Sequence, residues 1–369
     1  MNKILMYSTT SANAGIDLAS PVTRVLDSYW YVLGAEVSHF ENEFAEYNGV
    51  RHCVSVANGT DALELGLRSL DIKAGDSVIV TANAGFYSST AIHLIGAKPV
   101  YVDINPATHT LSVDALKEAL EINVPKAIIV THLYGQLAEI EDIIDLASKY
   151  GVPVVEDCAQ SHGAMRNGKR TGSFGTIGCF SFYPTKNLGA LGDGGAVITN
   201  DTAIAEKLRQ YRQYGWSSKY CVDLPGGRNS RLDEMQAAIL REKLTHLERQ
   251  NTERRDIARK YNKAFEKFPL ICPISLDDDY VAHLYVVQVS KRDEFRSFLN
   301  EQGIMTDTHY PIPDHLQKAY VCEQKIGSLP LTEAACDKVV SLPCFPGMAG
   351  EDVERVISVV TLYFKSIGE

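Results

Sequence analysis

The chain has 369 residues, more than one hydrophobic core usually serves, so a large domain with a smaller companion is the expected organisation. With 45% hydrophobic and 22% charged residues it has the make-up of a folded globular protein, which excludes a disordered one. A formal net charge of −10 argues against sequence-independent binding of nucleic acid, which needs a basic face over the phosphates.

At the amino end, MNKILMYSTTSANAG carries too short an apolar run for a signal peptide. No later window reaches the roughly 18 uninterrupted apolar residues of a membrane span, so a cytoplasmic protein is expected. From about residue 50 to 200, short β-branched runs alternate with helix-period segments: HCVSVA then DALELGLRSL, SVIVTA then SSTAIHLIG, KPVYVDI then VDALKEAL, KAIIVTHL then EIEDIIDLASKYG, and VPVVED. Strands apolar on both faces and separated by helices predict an α/β fold, its parallel sheet covered on both sides. GCFSFYP and GGAVITND follow with no helix between them, so that part of the sheet should be mixed or joined by a hairpin. From Leu232 the pattern turns helical for some thirty residues, which predicts one long bridging helix. Beyond it HLYVVQVS reads as a strand, RDEFRSFLNEQG as a helix ending at a glycine, and EDVERVISVVTLYFKSIG as a terminal amphipathic helix. The expected division is 1–245 for the large domain and 246–369 for a smaller α+β domain. The eight cysteines are scattered, without a C-x-x-C pair or a histidine at metal-ligand spacing; they read as reduced core thiols, and no metal site is expected.

Three stretches carry chemistry. In VSVANGTDALELGL a strand, a turn at Asn58-Gly59 and a helix start follow one another. A helix N-terminus offers unpaired N–H groups and a favourable dipole to an anion, and Gly59 would let a phosphate approach the backbone. A plain N-cap by Asn58 or Thr60 accounts for the same residues. In GVPVVEDCAQSHGA a strand delivers Glu156 and Asp157 at its C-terminal end, where ligands of open α/β sheets sit. Neighbouring strand residues point to opposite faces, so at most one of the two acids can line a pocket.

In SFYPTKNLGALGDGGAVITND, Lys186 stands between an apolar aromatic stretch and a loop holding Gly189, Gly192, Gly194 and Gly195. Most lysines are solvated, but one held at the wall of an apolar cleft is a neutral amine able to attack a carbonyl. The glycines would leave room for a flat ring and admit positive φ. Two nucleotide motifs fail. GAMRNGKR has P-loop spacing but places Arg170 where a Mg²⁺-binding hydroxyl belongs, and the glycines after Lys186 miss the G-x-G-x-x-G pattern and precede a strand. A lysine for an imine, an aspartate for a ring nitrogen and a helix terminus for a phosphate together match pyridoxal phosphate chemistry.

The ordered motifs VLGAEVSHFENEFAEYNGV, ANGTDALELGLRSL, GDSVIV, AKPVYVDI, VTHLYGQ, VPVVEDCAQSHGA, SFYPTKNLGALGDGGAVITND, RNSRLDEMQAAILREKL and THYPIPDHLQKAY cover nearly the whole chain. They resemble the nucleotide-sugar aminotransferases of the DegT/DnrJ/EryC1/StrS family, in the fold-type I (aspartate aminotransferase-like) group. The resemblance implies a mostly parallel seven-stranded sheet between helices and pyridoxal 5'-phosphate as cofactor. It implies that Lys186 is catalytic, forming the Schiff base with the cofactor and shuttling the proton, with Asp157 on the ring nitrogen and Gln160 on the phenolic-oxygen side. Gly59, Thr60 and Ser181 would bind phosphate, and Asn229 would reach the phosphate of the partner subunit's cofactor, which implies a homodimer with shared active sites. For the aromatic over the outer ring face, Phe86 is chosen over Tyr87. Tyr183, His309 and Tyr310 would line the sugar side, where Asp314 and Lys318 differ from the residues expected of the family. Family members with histidine in place of the lysine are dehydratases; with Lys186 kept, the implied reaction is amino transfer from L-glutamate to a nucleotide-linked keto-deoxyhexose. NLGALGDGGA is closer to the members that aminate C-3, so the expected product is a dTDP-3-amino-3,6-dideoxyhexose for polysaccharide or natural-product glycosylation. C-4 amination of a dTDP- or UDP-4-keto-6-deoxyhexose is the nearest alternative, and a non-catalytic PLP-binding regulator or scaffold is the alternative from another class.

Overall fold

The β-branched runs become the strands of one central sheet in the computed structural model, which describes residues 3–320 and 328–368. These are β1 (His52–Val56), β2 (Ser77–Thr81), β3 (Lys98–Val102), β4 (Ala127–Thr131), β5 (Val154–Asp157), β6 (Ile177–Ser181) and β7 (Gly195–Thr199). Their order across the sheet is β1-β7-β6-β5-β4-β2-β3. The pairs β2–β3, β2–β4, β4–β5 and β5–β6 are parallel. Only β7, which follows β6 without a helix, runs antiparallel to its neighbours β6 and β1. The mixed edge anticipated from GCFSFYP and GGAVITND is this one.

Alternation along the strands divides the core into two layers. Val78 and Val80 of β2, Tyr101 of β3 and Ile129 of β4 pack with α1 (Gly59–Ser69), α2 (Tyr87–Leu94) and α3 (Thr202–Tyr211) on one face. Ile79, Val100, Val102, Ile128 and Val130 face the other way, against the helices Val113–Ile122 and Ile140–Lys149. Apolar residues at every strand position are therefore needed, as a sheet covered on both faces requires. No helix among the described residues is long and apolar enough to cross a membrane.

The long helix expected after Leu232 is two helices, Glu234–Leu244 and Leu247–Phe265, broken at Thr245 and His246. Between them the two helices reach two cores. Ala237 and Leu240 pack with Phe40, Phe44, Phe180 and Phe182, whereas Ile257, Ala258, Tyr261 and Phe265 belong to a separate core. That second core also takes in the antiparallel strands Tyr285–Gln288 and Val339–Leu342 and the helices Arg292–Glu301 and Gly350–Ser366. Ile4, from the other end of the chain, packs into it as well.

The acids at the end of β5 part company as the strand period requires. Glu156 is fully buried and accepts N–H bonds from Gly172 (2.7 Å), Phe174 (2.8 Å) and Gly175 (2.6 Å). It also meets His132 Nε2 at 3.0 Å. Because His132 Nδ1 accepts the Ala138 N–H at 3.2 Å, the ring proton lies on Nε2 and is donated to Glu156. His132, Glu156 and Cys158 lie close enough together to hold a metal ion, but these hydrogen bonds already occupy the imidazole and the carboxylate. Glu156 thus ties the 172–175 loop to the sheet. Glu156→Ala should cost about 3–5 kcal/mol of folding free energy by leaving the loop amides and His132 unpartnered. Urea unfolding measures it, and a cost under about 1 kcal/mol, the worth of one ordinary hydrogen bond, would contradict this assignment.

Candidate active site

A cavity of about 780 Å³ opens at the C-terminal ends of β4, β5 and β6 and is closed on its far side by His283, Leu284 and residues 307–310. Gly59, Thr60, Asp157, Gln160, Ser181, Tyr183, Lys186, His309 and Tyr310 all line it; Phe86 and Asn229 do not.

At one end, α1 begins with Asn58 as its cap. The Asn58 side chain accepts the Asp61 N–H at 2.9 Å and its carbonyl accepts the Ala62 N–H at 3.1 Å. The N–H groups of Gly59 and Thr60 are left without an acceptor among the described residues. A Cβ on Gly59 would lie 2.5 Å from the Cβ of Ser181, so the helix start and the Ser181 hydroxyl sit side by side. Asp61, whose charge would repel an anion here, is paired with Arg228 at 2.9 Å. Capping and anion binding are therefore compatible, the side chain taking one amide and leaving two.

The loop after β6 is anchored by Phe182, buried against Phe40 and Phe44 and bonded through its N–H to Gly194 O (2.7 Å) and through its carbonyl to Ala190 N–H (2.8 Å). Lys186 hangs from this loop into the cavity wall. As a residue it keeps some exposure because its tip faces the cavity, yet the surrounding protein strips water from the ammonium. Burial lowers its pKa to about 8, and the Asp157 carboxylate acts against that shift. Asp157 accepts the Ala159 N–H at 3.1 Å on Oδ1 and the Ser88 and Thr131 hydroxyls at 3.0 and 3.5 Å on Oδ2.

Gln160 accepts the Tyr134 N–H at 2.7 Å and donates through Nε2 to the Tyr310 hydroxyl at 3.1 Å. The Tyr134 hydroxyl donates to the carbonyl of His309, whose Nδ1 lies 2.8 Å from Ser341 Oγ. Burial pushes the Tyr310 phenol up and the imidazoles of His309 and His283 down, so these groups meet a ligand uncharged. His283 joins the lysine loop directly. Asn187 donates to Asn251 Oδ1 (2.8 Å) and Val281 O (3.0 Å), leaving its own oxygen 3.0 Å from His283 Nδ1.

Three expectations change, those for Phe86, the glycines and the cysteines. Phe86 precedes α2 in a left-handed conformation (φ 69°), and its ring lies against Tyr320 and His93, at 4.9 and 5.9 Å between centroids. Gly85 and Phe86 both have positive φ, and this reversal presents Tyr87 to the cavity in its place, edge-on to Tyr310 at 6.1 Å. Asn229 is exposed and pairs in a single bridge with Gln213, away from the cavity of its own chain. None of the four glycines after Lys186 has a positive φ. Three of them are required instead by close approach: a Cβ would come 2.6 Å from Pro184 O at Gly189, 2.9 Å from Leu232 at Gly194 and 2.3 Å from Asn58 O at Gly195. Of the cysteines, Cys221 is exposed and Cys272 partly so, while Cys322 lies outside the described residues.

Sequence reasoning missed Ser88, which holds Asp157, and the cavity-lining residues Tyr7, Asp193, His283 and Asp307. Ser88 stood beside the rejected Tyr87, so choosing the other aromatic would have brought it into view. The other four carry no local motif.

The sequence profile of the DegT/DnrJ/EryC1/StrS aminotransferase family matches residues 15–361. The chain is 49% identical over 349 residues to the dTDP-3-amino-3,6-dideoxy-alpha-D-galactopyranose transaminase of Aneurinibacillus thermoaerophilus, covering 94% of this chain and 95% of that protein. Among solved structures it superposes on S. venezuelae DesV in complex with a ketimine intermediate with a TM-score of 0.94 and 41% identity, covering 98% of this chain and 99% of that one. NtdA from Bacillus subtilis with bound cofactor PMP superposes with a TM-score of 0.92 and 30% identity, covering 99% and 86%.

The neutral amine of Lys186 should grow as pH rises through about 8, well below the ordinary lysine value of 10.5. Amine-directed labelling of the apoprotein, followed by peptide mapping, should show residue 186 reacting with that midpoint; a midpoint near 10.5 would contradict the desolvated environment. The unfolded chain holds the extra proton between these values, so Lys186 should cost stability at low pH. Any stability advantage of Lys186→Met should accordingly shrink between about pH 8 and 10.5.

Proposed function

Because the chain belongs to the DegT/DnrJ/EryC1/StrS aminotransferase family, we propose that it transfers the amino group of L-glutamate to a dTDP-linked 3-keto-6-deoxyhexose, using pyridoxal 5'-phosphate. The observation that carries this reading is the sharing of one cavity by Lys186, Asp157 and a helix start with two unclaimed amides. Pyridoxal phosphate supplies an aldehyde that links to amines and a ring whose protonated nitrogen draws electrons from the amine-bearing carbon.

The residues present suit that group. Gly59 and Thr60 N–H and the Ser181 hydroxyl take the phosphate, and Arg228 keeps Asp61 from opposing it. Asp157, held by Ala159, Ser88 and Thr131, keeps the proton on the ring nitrogen. Tyr87, which lines the cavity where Phe86 does not, would cover the ring, and Gln160 would hold the phenolic-oxygen side. Lys186 Nζ, whose pKa burial lowers to about 8 and which therefore gives up its proton more readily than an ordinary lysine, would attach to the aldehyde and, when free, carry the proton to and from the substrate carbon. Tyr183, His309 and Tyr310 offer a sugar hydrogen-bonding groups; burial keeps His309 and Tyr310 uncharged.

The homodimer belongs to the same proposal. Lys186 is the only lysine or arginine among the cavity-lining residues described, although the cofactor, the donor and the nucleotide are all anions. Asn229 is exposed outside its own chain's cavity, where a second copy could bring it to the neighbouring phosphate. Tyr29, Trp30, Tyr220 and Val222 are 60% or more exposed, apolar surface that a second copy would cover. The C-3 position of attack is supported by the name of the Aneurinibacillus relative.

Synthetic 3-keto and 4-keto dTDP-6-deoxyhexoses, each supplied with L-glutamate, provide the test, read by mass spectrometry and proton NMR. The 3-keto sugar should yield its 3-amino product with one equivalent of 2-oxoglutarate, and Lys186→Ala should lower kcat by roughly 10²–10⁴-fold from lost proton transfer alone. A 4-amino product would overturn the regiochemistry, and no transfer to either sugar would overturn the activity.

A further inference from the structure

Asp314 lies four residues after Tyr310. It is 1% exposed, and no cation pairs with it among the described residues. Burying a lone carboxylate is costly unless hydrogen bonds compensate. The compensation all comes from one place, the stretch from the end of β2 to the first turn of α2. Oδ1 accepts the Phe86 N–H at 3.0 Å, and Oδ2 accepts the Ser89 hydroxyl at 2.6 Å. Ser89 Oγ in turn accepts the Tyr101 hydroxyl at 3.1 Å, and the Asp314 N–H donates to Ala82 O at 2.7 Å. Gly85, in the same stretch, lies flush on Tyr310: a Cβ there would come 2.8 Å from its ring.

The two residues between Asp314's partners serve the cavity. Tyr87 lines it, and Ser88 donates to Asp157 Oδ2. Four consecutive residues therefore alternate their loyalties, 86 and 89 to Asp314, 87 and 88 to the cofactor end. On the other side, Asp314 follows His309 and Tyr310, which close the cavity opposite.

We propose that Asp314 is a positioning residue that locks the sugar-side wall of His309 and Tyr310 to the helix start bearing Tyr87 and Ser88. One carboxylate thereby holds the substrate wall and the Asp157 end in a single relative placement. The inference rests on the reading of this cavity as a PLP-dependent sugar aminotransferase site, and it adds a determinant of sugar binding to it.

A second carboxylate supplies the control. Asp103 accepts the Thr332 N–H (2.8 Å) and hydroxyl (2.7 Å) and the Leu331 N–H (3.0 Å), and neither it nor these partners line the cavity. Asp314→Asn, which keeps one acceptor oxygen, Asp314→Leu, which keeps none, and Asp103→Asn are compared as full-length enzyme loaded with pyridoxal phosphate. KM is measured for the dTDP-keto-sugar and for glutamate, with the pH midpoint of the cofactor absorption band and Tm. The sugar KM should rise about tenfold in Asp314→Leu and by a smaller factor in Asp314→Asn, as expected for one or two lost hydrogen bonds to a buried charge. The band midpoint should move in the same order, because Ser88 no longer holds Asp157 in place. Asp103→Asn should lower Tm with both readouts unchanged. If Asp314→Leu does not fold, the Asn variant decides. Asp314 variants that lose Tm but keep the sugar KM and the band would overturn the inference, as would variants indistinguishable from wild type. A wild-type protein that takes up no pyridoxal phosphate would overturn the functional reading, and this inference with it.

Discussion

The alternation of side chains along β5 sends Glu156 and Asp157 to opposite faces of the sheet, and the geometry of the site is built around that separation. Glu156 spends its charge on three loop amides and His132, tying the 172–175 loop to the sheet. Asp157 faces the cavity, where the end of β4, the start of α2 and the turn after β5 each contribute one donor. The acid that faces the cavity is thus oriented from its paired strand, from its own turn and from the start of α2.

Across the cavity, the position of Lys186 follows from packing more than from polarity. Phe180 and Phe182 sink into the aromatic cluster with Phe40 and Phe44, which pins the loop between β6 and β7 and turns the lysine toward Asp157. Burial then favours the free amine, and the facing carboxylate limits how far. The imidazole of His162, wedged near Phe180 and Phe182, is lowered to about 3 by burial, with Lys186 adding to the effect, so it brings no second charge to the wall. The close backbone approaches at Gly189, Gly194 and Gly195 let the loop fold against α1 and the strands.

Much of this was legible in the chain. The strands were, because apolar β-branched runs between helical segments admit few other arrangements. Lys186 was, from its place between an aromatic stretch and a glycine-rich loop; of Glu156 and Asp157, strand alternation said only that one could line a pocket, and the family resemblance chose Asp157. The choice between Phe86 and Tyr87 was not, since it depends on a backbone reversal with positive φ at both Gly85 and Phe86, and phenylalanine gives no sign of that. The break at Thr245 and His246 was hidden for a different reason: neither residue stops a helix, and Leu244 and Leu247 on either side of it pack into the same core, so no change in the apolar pattern marks it. The glycines were correctly singled out but for a conformational freedom they do not use. Ser88 and His283 act through contacts 69 and 96 residues away in sequence, to Asp157 and Asn187, which no local pattern announces.

The account stands on one covalent attachment, that of residue 186 to the cofactor aldehyde opposite Asp157. Borohydride reduction of the protein loaded with pyridoxal phosphate, followed by proteolysis and peptide sequencing by mass spectrometry, tests it directly. The account predicts a single pyridoxyl label on the peptide containing Lys186; a label on another lysine, or none, would contradict it.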